Sequence, residues 1–325
     1  MPLPLISDIP GRSLNVVANL VKMGISQNWH SISATLSTTA TYDQEMPPLL
    51  VLDADSLAHR AYHAMPHVEG RDGRPVGLLL GFATTLVNLW RTRQPRTVLV
   101  CIDSRERSYR HELLPAYQGQ RDPFAADLVE QLDRLAELTE AFGFASATHP
   151  PFEADDLLAT AVHLEEAARG TCEVVTSDRD AFQLISSHTI VIRPGSEHEV
   201  VDVAGVRDRY GIDPRQVPDL IALRGDPSDN IPGARGIGQK TAAELLRRYG
   251  TLAGLREHEA ELTPRQQTSI AEADLDTYLA IATMRSDLPL RRPPDASLEI
   301  EQASTWCAEQ GMARMAARLA GAARA

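Results

Sequence analysis

Short apolar runs rich in β-branched residues recur along this chain, and three of them deliver an aspartate at their end. Leu49–Leu52 runs into Asp53, Thr97–Ile102 into Asp103, and Cys172–Thr176 is followed by Asp178 and Asp180. A fourth run, Thr189–Ile192, has the same character, and the helical stretches Gly77–Arg91, Ala125–Phe142 and Asp155–Ala168 lie between them. Runs this short, alternating with longer helical segments, predict an α/β fold: a parallel twisted sheet with helices on both faces. In such a sheet the chemistry gathers at the carboxyl ends of the strands. The acidic motifs fall there.

The flanking segments read differently. Residues 1–46 hold no sustained period and are Ser- and Thr-rich between Ser31 and Thr41, so they are expected to be a mobile extension. Met46 stands just before the first strand, which raises the alternative of a misassigned start. The catalytic core is expected over 47–215. Short helices replace strands after that, at Val217–Arg224 and Thr241–Tyr249 around a Gly- and Pro-rich loop, and define a helical module over 216–290. A tail over 291–325 is expected to end in one helix, Thr305–Ala320.

Three cysteines at wide spacing build neither a disulfide framework nor a metal knuckle. No apolar run is long enough to span a membrane and no secretory signal is recognisable, so a cytoplasmic protein is expected. The net charge of −12 argues against a broadly basic nucleic-acid binder. The sum conceals one bias: only Lys22 and Lys240 among 32 basic residues are lysines, so a lysine at a functional position is informative.

The acids themselves carry the chemistry. Besides Asp53 and Asp103, the helix beginning near Ala154 opens with Glu153, Asp155 and Asp156. Asp178 and Asp180 make a fourth group, and Asp226 and Asp229 a fifth. Taken singly, each is an ordinary cap or turn residue. Five acidic groups at the ends of successive elements would repel one another unless a cation held them together. Oxygen ligands without regularly spaced His or Cys select magnesium, with manganese able to replace it, and phosphoryl transfer through two ions is the matching chemistry. His59, His63 and His67 fall at helical spacing, but Pro66 interrupts them, so they are read as packing or surface residues.

At these residues the chain resembles the 5′-nuclease family, the flap endonucleases and the amino-terminal nuclease domain of bacterial family A DNA polymerases. The likeness covers roughly residues 48–290. It is carried by Val51-Leu52-Asp53-Ala54, by Asp103 with Ser108-Tyr109-Arg110-His111-Glu112, by Glu153-Ala154-Asp155-Asp156 and by Thr176-Ser177-Asp178-Arg179-Asp180. The long stretch from Gly225-Asp226-Pro227-Ser228-Asp229-Asn230 to Gly236-Ile237-Gly238-Gln239-Lys240-Thr241 is its most specific part.

The resemblance implies a PIN-like core and a 5′-3′ exonuclease and flap endonuclease acting on DNA flaps, nicks and free 5′ ends. It assigns one metal site to Asp53, Asp103, Glu153 and Asp155 with Asp156 close by, and a second to Asp178, Asp180 and Asp229 supported by Asp226. It implies a helical arch over about Pro115–Asp127, with Arg110 and Arg121 facing phosphates, and contact of Arg60 and Tyr62 with the 5′ strand. Gly233, Gly236 and Gly238, with Lys240 and Thr241, would form a helix-three-turn-helix element that grips duplex backbone, with a potassium ion on its carbonyls. The family's arch lysine is Gln118 here, and the glycine after the first aspartate is Ala54, with Asp55 adding negative charge. A PIN-like ribonuclease and a catalytically weakened DNA-binding protein are the competing readings. A monomer working beside a separate polymerase and ligase is expected.

Overall fold

The computed structural model describes residues 46–66, 68–121, 123–195 and 198–322. The expectation of a mobile extension over 1–46 therefore falls almost wholly outside the described residues, and His67 does too. Met46–Ala325 forms one compact unit.

Six strands make a single sheet in the order β3-β2-β1-β4-β5-β6: β1 Leu49–Asp53, β2 Thr97–Cys101, β3 Ala145–Ala147, β4 Cys172–Val175, β5 Thr189–Arg193 and β6 Glu199–Val201. The first five pair in parallel, and β6 returns antiparallel along the edge of β5. The sheet is thus parallel over five strands, as expected, with one antiparallel strand added at its edge. Both unexpected strands, β3 and β6, are three residues long, and β3 is only Ala-Ser-Ala, too small to leave a periodic signal.

Period-two alternation sorts the strands between two cores. Leu49, Val51, Leu99, Cys101, Cys172 and Val174 face one core, and Leu50, Leu52, Val98, Val100 and Val175 face the other. The second face is covered by α1 (Ala54–Ala64) and α2 (Gly77–Arg93), then α4 (Ala126–Leu132) and α5 (Leu135–Ala141), while the single turn α3 (Arg110–Leu113) between them packs on the other side, where Arg110 bonds Asp156 and Ile281. On the first face lies α6 (Ala154–Ala167), followed by α7 (Val203–Tyr210) and the helical module: α8 (Val217–Arg224), α9 (Gln239–Tyr249), α10 (Leu252–Glu257), α11 (Pro264–Glu272) and α12 (Leu275–Ala282). Leu220, Ile221, Leu246 and Leu255 of that module share the core of Val51 and Val174, so the module is fused to the sheet. The chain ends in α13 (Ile300–Glu309) and α14 (Ala313–Ala322).

Three expected elements differ. The stretch 125–142 is two helices, α4 and α5, and the terminal helix is a hairpin, α13 and α14, turned at Gly311 with φ +79°. The described residues of 114–125 hold no helix, and of the arch expected over about 115–127 only Ala126 and Asp127 are helical, at the start of α4. Pro115, Gly119 and Pro123 interrupt that segment, and Gln118 sits at φ +50°, so it folds as turns.

The strand order places the chemistry. The chain moves outward from β1 through β2 to β3, then returns to β4 on the other side of β1 and continues to β5. The reversal leaves a crevice at the carboxyl ends of β1 and β4.

Candidate active site

That crevice is a pocket of about 760 Å³ whose wall carries nine carboxylates. Asp53 ends β1 and also caps α1, accepting from the Ser56 amide at 3.0 Å and from Thr176 Oγ1 at 2.6 Å. Asp103 follows β2 and accepts from the Ala154 amide at 2.6 Å, which ties it to the start of α6. Glu153 and Asp155 come from the first turn of α6, Asp178 and Asp180 from the loop after β4, and Asp226 and Asp229 from the loop after α8. Asp55 is the ninth; it accepts from the Asp103 amide at 2.8 Å and faces Arg105 at 3.4 Å. Among the described residues Arg121, Arg179 and Arg224 line the same wall, and Arg105 and Arg110 reach its Asp55 and Glu153 from outside it.

The imbalance shows in the acids' proton affinity. Burial first, then the neighbouring charges of Asp55 and Asp178, push Asp53 up to about 7 against hydrogen bonds that pull it down. Burial and Asp55 push Asp103 up to about 8. Asp155 is held well above the ordinary carboxylate range by burial and by Asp178 and Asp53, and Asp180 by burial and by Asp178 and Asp226. Asp229 is raised by burial despite the pull of Arg121. Acids gathered this way bind protons in the absence of a cation and exchange them for one.

The donor set fits a hard divalent ion: oxygen on every side and neither thiolate nor a second imidazole beside His59. Among the described residues no three acids close into a ready-made cage.

Two residues assigned to the chemistry by sequence stand elsewhere. Asp156 is wholly buried and absent from the pocket wall; its oxygens accept two bonds of 2.8 Å from Arg110, with the amides of Arg285 at 2.9 Å and Glu153 at 3.2 Å. Arg110, expected to face phosphates, is 3% exposed. It donates to Glu153 at 2.8 Å and to the Ile281 carbonyl at 2.9 Å, joining α6 to α12. Burial opposes its charge, but the bonds to Asp156 and the charge of Glu153 more than offset this. Arg110 and Asp156 therefore form a structural ion pair that fixes where Glu153 points.

Arg121 does stand on the pocket wall, half exposed, donating to Asp229 Oδ1 at 2.7 Å. Gln118 donates to the same oxygen at 3.2 Å and to the Tyr117 hydroxyl at 3.0 Å, which in turn donates to Glu153 at 3.1 Å. A neutral chain of donors thus spans the two acid groups where a lysine was expected. Arg60 is exposed on α1 and absent from the wall, while Tyr62 is engaged by Asp127 at 2.9 Å. His59, read from sequence as a packing residue, lines the pocket, and so do Arg179 and Arg224. The signal for the arginines was their place inside acidic motifs.

The glycine loop divides by role. A Cβ on Gly233 would meet the Gly225 nitrogen at 2.3 Å, and its φ is +68°, so this glycine is required by packing of two chain segments. Gly236 also has positive φ, but only the Arg265 side chain lies near. A Cβ on Gly238 would meet nothing within 4 Å, and its φ of −86° suits any residue. Gly238 is the N-cap of α9 and offers no side-chain cap, leaving the first amides of that helix without such a partner, beside exposed Lys240 and half-exposed Thr241.

Comparison with known proteins agrees with this architecture. Residues 48–211 match the 5′-3′ exonuclease N-terminal resolvase-like domain, and residues 212–305 the 5′-3′ exonuclease C-terminal SAM fold. The chain is 37% identical over 278 residues to DNA polymerase I of Deinococcus radiodurans, covering 82% of this chain and 29% of that protein. It is 38% identical over 229 residues to DNA polymerase I of Mycobacterium leprae, covering 69% and 25%. It therefore spans less than a third of these relatives. Among solved structures, bacteriophage T5 5′-exonuclease with bound divalent metal ions (zinc) superposes with a TM-score of 0.61 at 22% identity, over 84% of this chain and 96% of that one. The catalytic core of Rad2 in complex with DNA substrate gives 0.55 at 17%, over 85% and 93%. With both domains matched in order along one acid-lined sheet, the chain belongs to the 5′-3′ exonuclease family.

Proposed function

We propose that this chain hydrolyses DNA phosphodiesters with two divalent ions, magnesium foremost, as a 5′-3′ exonuclease and structure-specific flap endonuclease. The observation that carries the reading is the gathering of nine carboxylates from five chain segments onto one pocket at the sheet's switch point, with three arginines among its lining residues. Asp53, Asp103, Glu153 and Asp155 would hold one ion, and Asp178, Asp180 and Asp229, with Asp226 in support, the other. Such ions supply an activated water and offset charge on the leaving oxygen.

The chain's own groups do the positioning. Arg110 and the Tyr117 hydroxyl hold Glu153 from two sides. Arg121 is the cation free to exchange Asp229 for a substrate phosphate, and Gln118 offers a neutral donor beside it. Behind the cut, Gly238 lets a DNA phosphate approach the amides of α9, with Lys240 and Thr241 adjacent. A potassium ion on the carbonyls of that loop belongs to the same reading. Contacts of this kind read backbone, so no sequence preference is expected. Polymerase and ligase activities on other chains would complete primer removal or repair.

The test uses a 5′-labelled flap, a nicked duplex, a single strand and the matching RNA, each with magnesium, with manganese or with chelator. Cutting of the flap and the nick that chelator abolishes is expected. A preference for RNA would favour a PIN-like ribonuclease. Tight flap binding without cutting would favour a DNA-binding protein weakened by Gln118, and either result refutes the reading.

A further inference from the structure

Asp53 and Asp178 belong to neighbouring strands, and the function proposed above gives them to different ions. Leu52 of β1 pairs with Val175 of β4, so Asp53 and Thr176 are the next residues along the two chains. Thr176 is wholly buried there, and its amide donates to the Ile192 carbonyl at 3.2 Å, which ties its backbone to β5.

The Thr176 hydroxyl is used in both senses. It donates to Asp53 Oδ2 at 2.6 Å and accepts from the Asp178 amide at 2.9 Å. A hydroxyl has one proton, which Asp53 takes, so only lone pairs are left to face Asp178. Asp53 Oδ1 receives the Ser56 amide at 3.0 Å, so each oxygen of this carboxylate is held once. A carboxylate has about four acceptor positions, and roughly half of them stay free for the pocket. The link continues through Asp178, whose Oδ1 accepts from the Asp180 amide at 2.8 Å. Ser56 closes a ring on the other side, where its Oγ accepts from the Ser177 amide at 2.9 Å. Two acid-bearing loops are thus stitched together by two hydroxyls. The contrast with Asp156 is instructive: Arg110 holds that acid by compensating its charge, whereas a hydroxyl holds an acid and leaves its charge in place. Gathered acids that repel one another need such a brace to keep their spacing and still attract a cation.

We propose that the hydroxyls of Thr176 and Ser56 are positioning groups for the two ion sites, with Thr176 setting the separation of Asp53 from Asp178 and Asp180. The inference rests on the two-ion reading above and adds the groups that couple its two acid clusters. Deleting the Thr176 hydroxyl at constant shape frees Asp53 to turn and leaves the Asp178 amide without its acceptor. Groups that orient metal ligands from behind typically contribute about 10- to 100-fold in metal affinity or activity.

The experiment compares wild type with Thr176→Val, which keeps the shape, and Thr176→Ser, which keeps the hydroxyl. Manganese alone is titrated into each, with the free ion read by electron paramagnetic resonance and no DNA present, and Tm is measured in chelator. Thr176→Val should bind manganese about 10- to 100-fold more weakly, with Thr176→Ser close to wild type. On a flap, the magnesium concentration giving half-maximal cutting should rise for Thr176→Val by the same factor. Equal weakening by both variants would assign the effect to packing, and unchanged affinity in Thr176→Val would show that the acids keep their spacing unaided; either overturns the proposal. Ser56→Ala opens the ring at a half-buried residue and serves where Thr176→Val melts too low to be titrated. It should weaken manganese binding severalfold, and no change overturns the proposal. Wild type that binds manganese in a Thr176-dependent way but cuts no flap would sustain the positioning role and refute the nuclease reading. Brisk cutting with metal affinity indifferent to Thr176 would do the reverse.

Discussion

Replacing Asp155 with asparagine should make the metal-free protein more stable while removing its activity. The substitution keeps shape and deletes one charge. Asp155 is raised well above the ordinary carboxylate range by burial and by the charges of Asp178 and Asp53, with only Arg110 pulling it back. Its neighbours Asp53 and Asp103 are pushed up to about 7 and about 8 from 3.8. Each pH unit of such displacement corresponds to about 1.36 kcal/mol for an isolated group, and because these acids share their protons one substitution recovers about 1–3 kcal/mol at pH 8. For a chain of this size that is a rise in Tm of roughly 2–10 °C.

The same change removes a metal ligand, and a lost clamp of several kcal/mol on the transition state corresponds to a loss of cutting on the order of 10³-fold. The assay is thermal unfolding at pH 8 in chelator and in magnesium, paired with single-turnover cutting of a flap. Wild type should gain Tm on adding magnesium and Asp155→Asn should gain much less. A variant that melts lower than wild type in chelator, or that magnesium protects equally, would refute the argument, because it would show Asp155 acting as a structural cap and not as an uncompensated charge.

Four further outcomes follow from the same geometry. Asp53 and Asp103 hold their protons more tightly folded than unfolded, so the folded chain binds more protons above pH 4, and metal-free stability should fall as pH rises from about 4 to about 8; a Tm profile that climbs over this window would contradict it. Arg110→Met should destabilise the fold by about 3–5 kcal/mol in urea unfolding by stranding Asp156, and Arg110→Lys should not rescue it, since one ammonium cannot reproduce the fork and the bond to the Ile281 carbonyl. Gly233→Ala should lower Tm sharply, whereas Gly238→Ala should leave Tm nearly unchanged and weaken duplex binding, a split that equal effects in both assays would erase. Gln118→Lys should raise the single-turnover rate more than the affinity, by up to roughly 10²- to 10³-fold; no gain would mean that Arg121 already supplies the charge.

Much of this fold is legible because the long buried parallel strands are unbroken apolar runs, and the runs ending at Leu52 and Ile102 each deliver an aspartate in the next position. Asp53 and Asp103 can be found that way, and α6 announces itself by three acids at its start. What stays hidden lacks such a signal. β3 and β6 are too short, and the turn at Gly311 is one glycine in an otherwise helical pattern. The segment 114–125 is the instructive case. Its likeness to a helical arch comes from neighbouring motifs, while Pro115, Gly119 and Pro123 within it already oppose a helix.

Asp155 and Asp156 show why an acidic cluster in sequence is not yet a metal site. They are adjacent and of the same type, and a helix turns them about 100° apart. One faces the pocket and is left to its repulsive neighbours; the other faces inward, and Arg110, forty-odd residues earlier in the chain, takes both of its oxygens. No local pattern decides which is which, because the decision lies in where α3 docks against α6 and α12. The demand for cations is therefore set by the acids on the pocket wall, and of the ten candidate acids, counting Asp55, Asp156 alone is withdrawn from that wall, while Glu153, Asp229, Asp55 and Asp226 stay on it with one arginine contact each. The nine that remain, against three arginines on the same wall, are what a pair of divalent ions would answer.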